Sequence, residues 1–568
     1  MSTTASNFTV RSRQVASRFL QSAVIVDDQA RLDHRPRSVV MPGRKQRPRS
    51  EAKLEPSEDG PGAATHDLDA KRLIDAFAEL GVVCAVLKPE LASGSAENKE
   101  ASDTLEALSV RTDEATKRAD IVILDWNIPD EQKPGQNAQR LIQEILKTDE
   151  SSQNARRDDH SRRLRLIAIY TGDENLESIT AEVTPLLKNL DLGEVEASRY
   201  SVRAGPVTIA VYGKGKPTIQ PVDADRRVDE KELPGRLRDD FAEMTEGLLS
   251  NAALESLSAI RTNTHWILRR FNRTLDPAYI AHRAMIQPPE EAEEHPVPLI
   301  VSEIEGVLAD DREIPELVKL KAVREWLDQL SLGEKTLQVE MDSKAFKAAL
   351  ISLLEHGLER ADVPPEQPRW ADLVERLTNY DRSAAGIITD VLSGDGADGA
   401  ELDMRFAVLT SLRSRYEAPP PVLRLGSIVA TKDSGNSIYL LCIQPLCDSV
   451  RLDRTRKFPF LKLNERKAGS GQSFDLVVGD GQQLKRLYVS RNAYDIRVIP
   501  MKPDPKSKWV EGKRTNDQWE FRRVQGSPVR WLADLKPVFT HRILNQFVGH
   551  VSRVGLTESE WLRRMAKR

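Results

Sequence analysis

The sequence predicts a multidomain protein: an N-terminal α/β domain on a doubly wound, five-stranded parallel sheet, a central all-α domain, and a small C-terminal antiparallel β domain followed by helices. Three observations predict it. Apolar runs in the first 217 residues end abruptly in polar groups, and helical patterns separate them. From about Asp223 to Pro420 long amphipathic segments take over. From Leu423 to about Val529 short β-runs return without long helices. The expected domains are therefore 1–217, with a basic insertion at about 29–65, then 223–420, 423–530 and 531–568.

The first strand is Ser22 to Val26, and it stops at Asp27-Asp28. Arg31, Arg35, Arg37, Arg44, Lys45, Arg47, Arg49 and Lys53 come next, mixed with prolines. With few apolar residues this block reads as a solvated loop, or as a contact for a phosphorylated partner or nucleic acid. A helix from about His66 to Leu80 presents Leu68, Leu73, Ile74, Phe77 and Leu80 at helical spacing, and Gly81 stops it. Val82 to Leu87 is the second strand, Ser102 to Lys117 a helix, and Asp120 to Leu124 the third strand, ending at Asp125. Ala138 to Leu146 is a helix with Leu141, Ile142 and Ile145 inward, and the charged stretch Thr148 to Arg163 reads as a loop. Strand four, Leu166 to Tyr170, stops at Thr171-Gly172. A helix from Asn175 to Leu187 leads to strand five, Val207 to Tyr212, which stops at Gly213-Lys214.

The central helices are expected at Leu237 to Leu249, Ala252 to Thr274, Ile314 to Leu330, Ser343 to Leu358, Trp370 to Leu377 and Ala400 to Tyr416. The acidic, Pro-rich loop Gln287 to Pro298 splits them, and Pro419-Pro420-Pro421 closes them as a stiff linker. The β-runs are Leu425 to Val429, Ile438 to Ile443, Phe474 to Val478 and Arg486 to Val489, with a hairpin turn at Asp433-Ser434-Gly435-Asn436. Trp531 to Arg568 reads as two helices broken near Gly555, the second opened by a Thr557/Glu560 capping box.

Composition bounds the function. With 568 residues, 39% hydrophobic and 30% charged, the chain suits a soluble globular protein. Mean hydropathy is −0.46, and no apolar run approaches the about 20 residues of a membrane span. Met1 to Arg13 lacks the apolar core of a signal peptide, so a cytoplasmic location is expected. Cys84, Cys442 and Cys447 are too few for a disulfide framework, and no His or Cys pair stands near the last two to make a zinc site. The net charge of −4 predicts no general affinity for nucleic acid.

The carboxyl edge of a parallel sheet is where open α/β folds build their sites. Here that edge receives an acid pair, a lone acid, a hydroxyl and a lysine, in that order. A lone strand-terminal Asp more often caps a turn; four such ends in order are hard to obtain by chance. Gathered carboxylates raise one another's pKa, a divalent cation relieves the repulsion, and an all-oxygen set suits Mg²⁺. The segment Leu124-Asp125-Trp126-Asn127-Ile128-Pro129, with Val26-Asp27-Asp28, Tyr170-Thr171-Gly172 and the lysine at strand five, resembles the receiver domain of two-component response regulators, over residues 20 to 217. The resemblance implies a receiver (flavodoxin-like) fold and Asp125 as phosphoacceptor. It further implies Mg²⁺ held by Asp27 or Asp28, Asp125 and the main-chain carbonyl of Asn127, with Thr171 and Lys214 contacting the phosphoryl group. Lys216, which precedes Pro217, is the rival for Lys214. The insertion after Asp28 and the loop after Thr148 exceed the family's usual lengths.

The resemblance also implies a histidine kinase or kinase-like ATPase as donor, and a protein partner for the output domains. An atypical, non-DNA-binding response regulator is the expected whole, similar to components of bacterial stress or anti-phage systems. A non-phosphorylated receiver-fold scaffold and a receiver-controlled nuclease are the alternatives. For the latter, Arg261 and His265 share a helix face, but Trp266, Ile267 and Phe271 mark that helix as a packing element. Cys447-Asp448 has no histidine close in sequence to act as base, so no enzymatic activity beyond phosphoryl acceptance is expected.

Overall fold

The computed structural model describes residues 6–32, 68–88, 112, 114–128, 133–151, 163–190, 194–215, 223–286, 292–293, 295–360, 367–379, 381–394, 398–415, 420–433, 436–467, 474–481, 483–516, 518–552 and 565. Most of the basic insertion, Pro129, Lys216 and the Thr557/Glu560 pair lie outside them. The chain divides into two units, Met1–Gln329 and Leu330–Arg568.

Along the first unit come α1 (Asn7–Phe19), β1 (Ser22–Val26), the two-residue strands β2 (Ala30–Arg31) and β3 (Leu68–Asp69), α2 (Ala70–Glu79), β4 (Val83–Leu87), β5 (Ile121–Leu124), α3 (Gln136–Ser151), β6 (Arg165–Thr171), α4 (Leu176–Lys188), β7 (Val195–Ala197), β8 (Ser201–Ala204), β9 (Val207–Lys214), β10 (Arg227–Val228), α5 (Leu233–Thr245) and α6 (Leu248–Arg270). The sheet order is β4-β1-β5-β6-β9-β8-β7, with β10 beside β9. β4, β1, β5, β6 and β9 are mutually parallel, while β7 and β8 add an antiparallel hairpin. The sheet is thus mixed and eight-stranded rather than five-stranded and purely parallel. The extra strands are short and polar on alternate residues, which hides them from an apolar-run reading.

Each central strand feeds two cores. Ala23 and Ile25 of β1 face one, and Val24 and Val26 face the other. The first is closed by Val15 of α1, Leu73 and Phe77 of α2, and Leu237 and Phe241 of α5. The second is closed by Leu141 and Ile145 of α3, and Val183 and Leu187 of α4. Helix α1 was not expected from its polar composition. Ser6 caps it by accepting from the Thr9 N–H, and Phe8, Ser12, Val15 and Ala16 form its narrow buried stripe. Helix α3 runs to Ser151, so Thr148 to Ser151 is not loop. Arg165, buried on β6, holds Asp149 through both carboxylate oxygens, at 2.9 and 2.5 Å.

Gly247, fully extended at φ 169, interrupts the helix expected across Leu249 and separates α5 from α6. Further helices lie at Asp276–Met285, Pro296–Asp310, Glu313–Glu316 and Leu320–Gln329. The Gln287 to Pro298 segment therefore already enters a helix at Pro296. No described helix is long and apolar enough to cross a membrane.

The second unit opens with helices Ser343–His356, Pro368–Thr378, Arg382–Leu392 and Gly399–Ser411. Its strands are β11 (Ser427–Asp433), β12 (Asn436–Cys442), β13 (Arg456–Arg466), β14 (Leu476–Asp480), β15 (Gln483–Val489), β16 (Ile496–Met501), β17 (Lys513–Thr515), β18 (Gln518–Phe521) and β19 (Val529–Asp534). They form one nine-stranded sheet in the order β14-β15-β13-β12-β11-β19-β18-β17, with β16 against β13. The expected hairpin is present, Asp433 pairing with Asn436. Trp531, expected to open a helix, lies in β19 and pairs with Val429. Aromatic and β-branched residues there answer the pull of the ladder, and the helix starts only at Pro537.

Candidate acidic site at the sheet edge

Strand parity assembles the site. Asp27, Asp125 and Lys214 continue the alternation of Ile25, Ile123 and Tyr212, so their side chains leave the sheet on the same face. The ladder extends one residue past the strands: the Asp125 N–H donates to the Val26 carbonyl at 2.9 Å, and the Asp27 N–H to the Leu87 carbonyl at 3.2 Å. This fixes both acids at the carboxyl edge. Asp27, Asp28 and Asp125 each offer a carboxylate oxygen within 4.8 Å of the others.

Lys214 Nζ donates to Asp27 Oδ2 at 2.7 Å and lies 3.3 Å from Asp125 Oδ2. By distance and angle the second contact is an ion pair, and among the described residues neither Asp125 oxygen, nor Oδ1 of Asp28, meets a donor at hydrogen-bond geometry. The Asp27 Oδ1 atom accepts from the Gln29 N–H at 2.7 Å, which turns the chain away from the edge. Burial pushes the Asp125 carboxyl up to about 6; Asp27 and Asp28 add to the rise and Lys214 opposes it. Burial and Asp27 also raise Asp28, with Lys214 and Lys88 opposing. Three carboxylates facing two lysines hold more negative charge than is balanced, and such a cluster is poised to take another cation.

Thr171 is fully buried at the end of β6, and its Oγ1 accepts from the Asp173 N–H at 3.2 Å. It makes no hydrogen bond to the three acids among the described residues. Asn127 reaches the same loop, its Nδ2 donating to Asp173 Oδ2 at 3.1 Å. Arg227 of β10 closes the loop from outside by donating to the Asp173 and Glu174 carbonyls at 2.8 and 3.0 Å. Asp173 and Arg227 were not foreseen. Asp173 comes directly after Thr171-Gly172, so the turn itself was its signal; Arg227 carries none in the sequence. Trp126 is buried against Gly135, whose φ of +81 and lack of a Cβ let the ring sit over its backbone.

Two other sequence candidates resolve differently. Arg261 donates to the Phe19 carbonyl at 2.8 Å and to Asp120 Oδ1 at 3.0 Å, while His265 is exposed beside Trp266. Arg261 is thus a clamp between α6 and the start of the sheet. Cys442 is buried and its thiol pushed up to about 12, and exposed Cys447 sits in a short turn with Asp448, which pairs with Arg456 at 3.6 Å.

Residues 19–218 match the family model described as the response receiver domain. No curated protein and no solved structure matches the chain.

Proposed function

We propose that this chain, with a receiver-type domain at its N-terminus, is a response-regulator-like signalling protein that accepts a phosphoryl group on Asp125. The observation that carries the reading is the meeting of Asp27, Asp28, Asp125 and Lys214 at one sheet edge, with both Asp125 oxygens lacking a hydrogen-bond donor among the described residues. Those orphaned oxygens and the all-carboxylate donor set fit Mg²⁺. Asp27 or Asp28, Asp125 and the Asn127 main-chain carbonyl would hold it, and when bound it supplies positive charge for the phosphoryl oxygens.

This chain's residues supply the rest. Above about pH 6 the Asp125 carboxylate is ionised and can attack the donor phosphorus. The new O–P bond forms as the bond to the leaving group breaks, the leaving group keeping its electron pair. Lys214 exchanges part of its contact with Asp27 and Asp125 for the incoming oxygens. Thr171 offers its hydroxyl proton, which pulls the Asp173 loop and biases a two-state element. The donor is a histidine kinase or kinase-like ATPase, and the second unit with the appended helices is the output.

Incubation with magnesium and a small-molecule phosphodonor tests this by intact mass. One phosphoryl adduct on the native chain, absent from Asp125→Asn, is expected. An adduct on both, or on neither, sinks the reading.

A further inference from the structure

The whole-chain charge of −4 conceals a division. Residues 421–552 carry 23 Lys and Arg against 12 Asp and Glu, so the second unit's sheet is strongly basic inside an acidic protein. Three of these cations line a cleft of about 470 Å³, formed by Thr455, Lys502, Arg522, Arg523, Val524, Gly526 and Pro528, and no acid lines it. Among the described residues none of these three cations makes an ion pair, and Arg523 Nε is buried without any partner.

The cleft is built rather than incidental. Met501 and Arg523 pair as an antiparallel bridge, the Lys502 N–H donates to the Arg522 carbonyl at 3.0 Å, and the Val524 N–H donates to the Pro500 carbonyl at 3.1 Å. Gly526, at φ +85, lies where a Cβ would come within 2.6 Å of Arg523 Nη2, so a side chain there would displace the guanidinium. From the cleft β16 runs back about 17 Å to Ile496, and the short turn Ala493–Asp495 before it carries Tyr494, which is 93% exposed; Arg491, over the Tyr488 ring, and Arg497 are exposed close by in sequence. Cations without an ion-pair partner at one end and an exposed tyrosine ring with arginines near in sequence at the other suit a ligand that alternates phosphates with flat bases.

We propose that the second unit binds single-stranded nucleic acid along β16, with Lys502, Arg522 and Arg523 on phosphates and Tyr494 stacked on a base. A duplex hides its base faces, and an acidic peptide has none, so neither uses Tyr494. The proposal rests on the second unit alone and stands whether or not Asp125 takes a phosphoryl group.

Fluorescence anisotropy of the full chain with labelled oligothymidylate and oligouridylate strands of about 20 nucleotides tests it, beside a duplex and a polyglutamate peptide of similar length. The expected result is binding to a single strand that weakens steeply with salt. Lys502→Glu with Arg522→Glu should lower that affinity by about tenfold or more and flatten the salt slope. Tyr494→Ala, at a side chain too exposed to affect folding, should lower affinity several-fold and leave the slope unchanged. No single-strand binding at low salt, equal binding to duplex or polyglutamate, or a Tyr494→Ala variant indistinguishable from the native chain would overturn it.

Discussion

Lys214 and Asp27 form an ion pair of 2.7 Å between side chains only 2% and 3% exposed. The same ammonium stands 3.3 Å from Asp125, so one cation serves two buried acids. Removing one partner of a buried pair leaves a desolvated charge and costs about 3–5 kcal/mol. Lys214→Met should therefore unfold at markedly lower urea near neutral pH. The loss should shrink in acid, where the Asp125 carboxyl, raised by burial, takes up a proton. A Lys214→Met protein as stable as the native chain at neutral pH would show that the pair contributes nothing.

Asp125 gives the opposite sign. Its folded-state pKa, about 6, lies above the ordinary 3.8, because burial outweighs Lys214. The folded chain then holds a proton that the unfolded chain has released. Stability falls as pH rises from about 4 to about 6 and is level beyond. A shift of this size corresponds to about 3 kcal/mol at most. Asp125→Asn should thus be more stable than the native chain above pH 6 and equal to it below pH 4, in metal-free buffer. Parallel stability curves for the two proteins across that range would contradict the burial argument.

The site's acids were legible because a buried parallel strand is a continuous apolar run, and the residue that ends it is conspicuous. Val122-Ile123-Leu124 places Asp125, and Ala23-Val24-Ile25-Val26 places Asp27, with no knowledge of the partners. Lys214 needed the strand to continue through Gly213, as it does, although the apolar pattern already stops at Tyr212. Helix α1 and the β7–β8 hairpin were not legible because their buried stripes are narrow and polar residues fill the rest. The basic cleft escaped for a different reason. A net charge averages over the whole chain, and the acids of residues 1–420 cancelled the cations of residues 421–552. The long strand β13, Arg456–Arg466, was missed through the same cations, since Arg456, Lys457, Lys462 and Arg466 dilute its apolar face.

Magnesium should stabilise the first unit by linkage. At a concentration one hundred times its dissociation constant, a ligand bound only by the folded state adds about 2.7 kcal/mol. Thermal unfolding should move up with magnesium in the native chain, less in Asp28→Asn, and not in Asp125→Asn. Protons compete for the same Asp125 oxygens, so the upward shift should fade as pH drops through about 6. A magnesium shift that survives Asp125→Asn would place the ion elsewhere.

The strands that end at the site are also tied to β10 and α5, farther along the chain. Tyr212, two residues before Lys214, donates its hydroxyl to Asp240 Oδ2 of α5 at 2.6 Å, and Tyr170, next to Thr171, donates to the Val228 carbonyl of β10 at 2.9 Å. Both rings lie in the core that α5 closes, and burial raises the Asp240 carboxyl despite the tyrosine and Arg226. Tyr212→Phe keeps the ring but leaves that acid without its donor, a loss of about 1–3 kcal/mol. Amide exchange should speed along Leu233–Thr245 and stay unchanged in α4, on the other face. Tyr212→Phe combined with Asp240→Leu should cost less than the two changes summed, because the second removes the orphaned group. Additive costs would mean that β9 and α5 merely touch. Coupled costs would make the Tyr212–Asp240 bond a rigid link by which a shift at Lys214 reaches the first helix beyond the receiver domain.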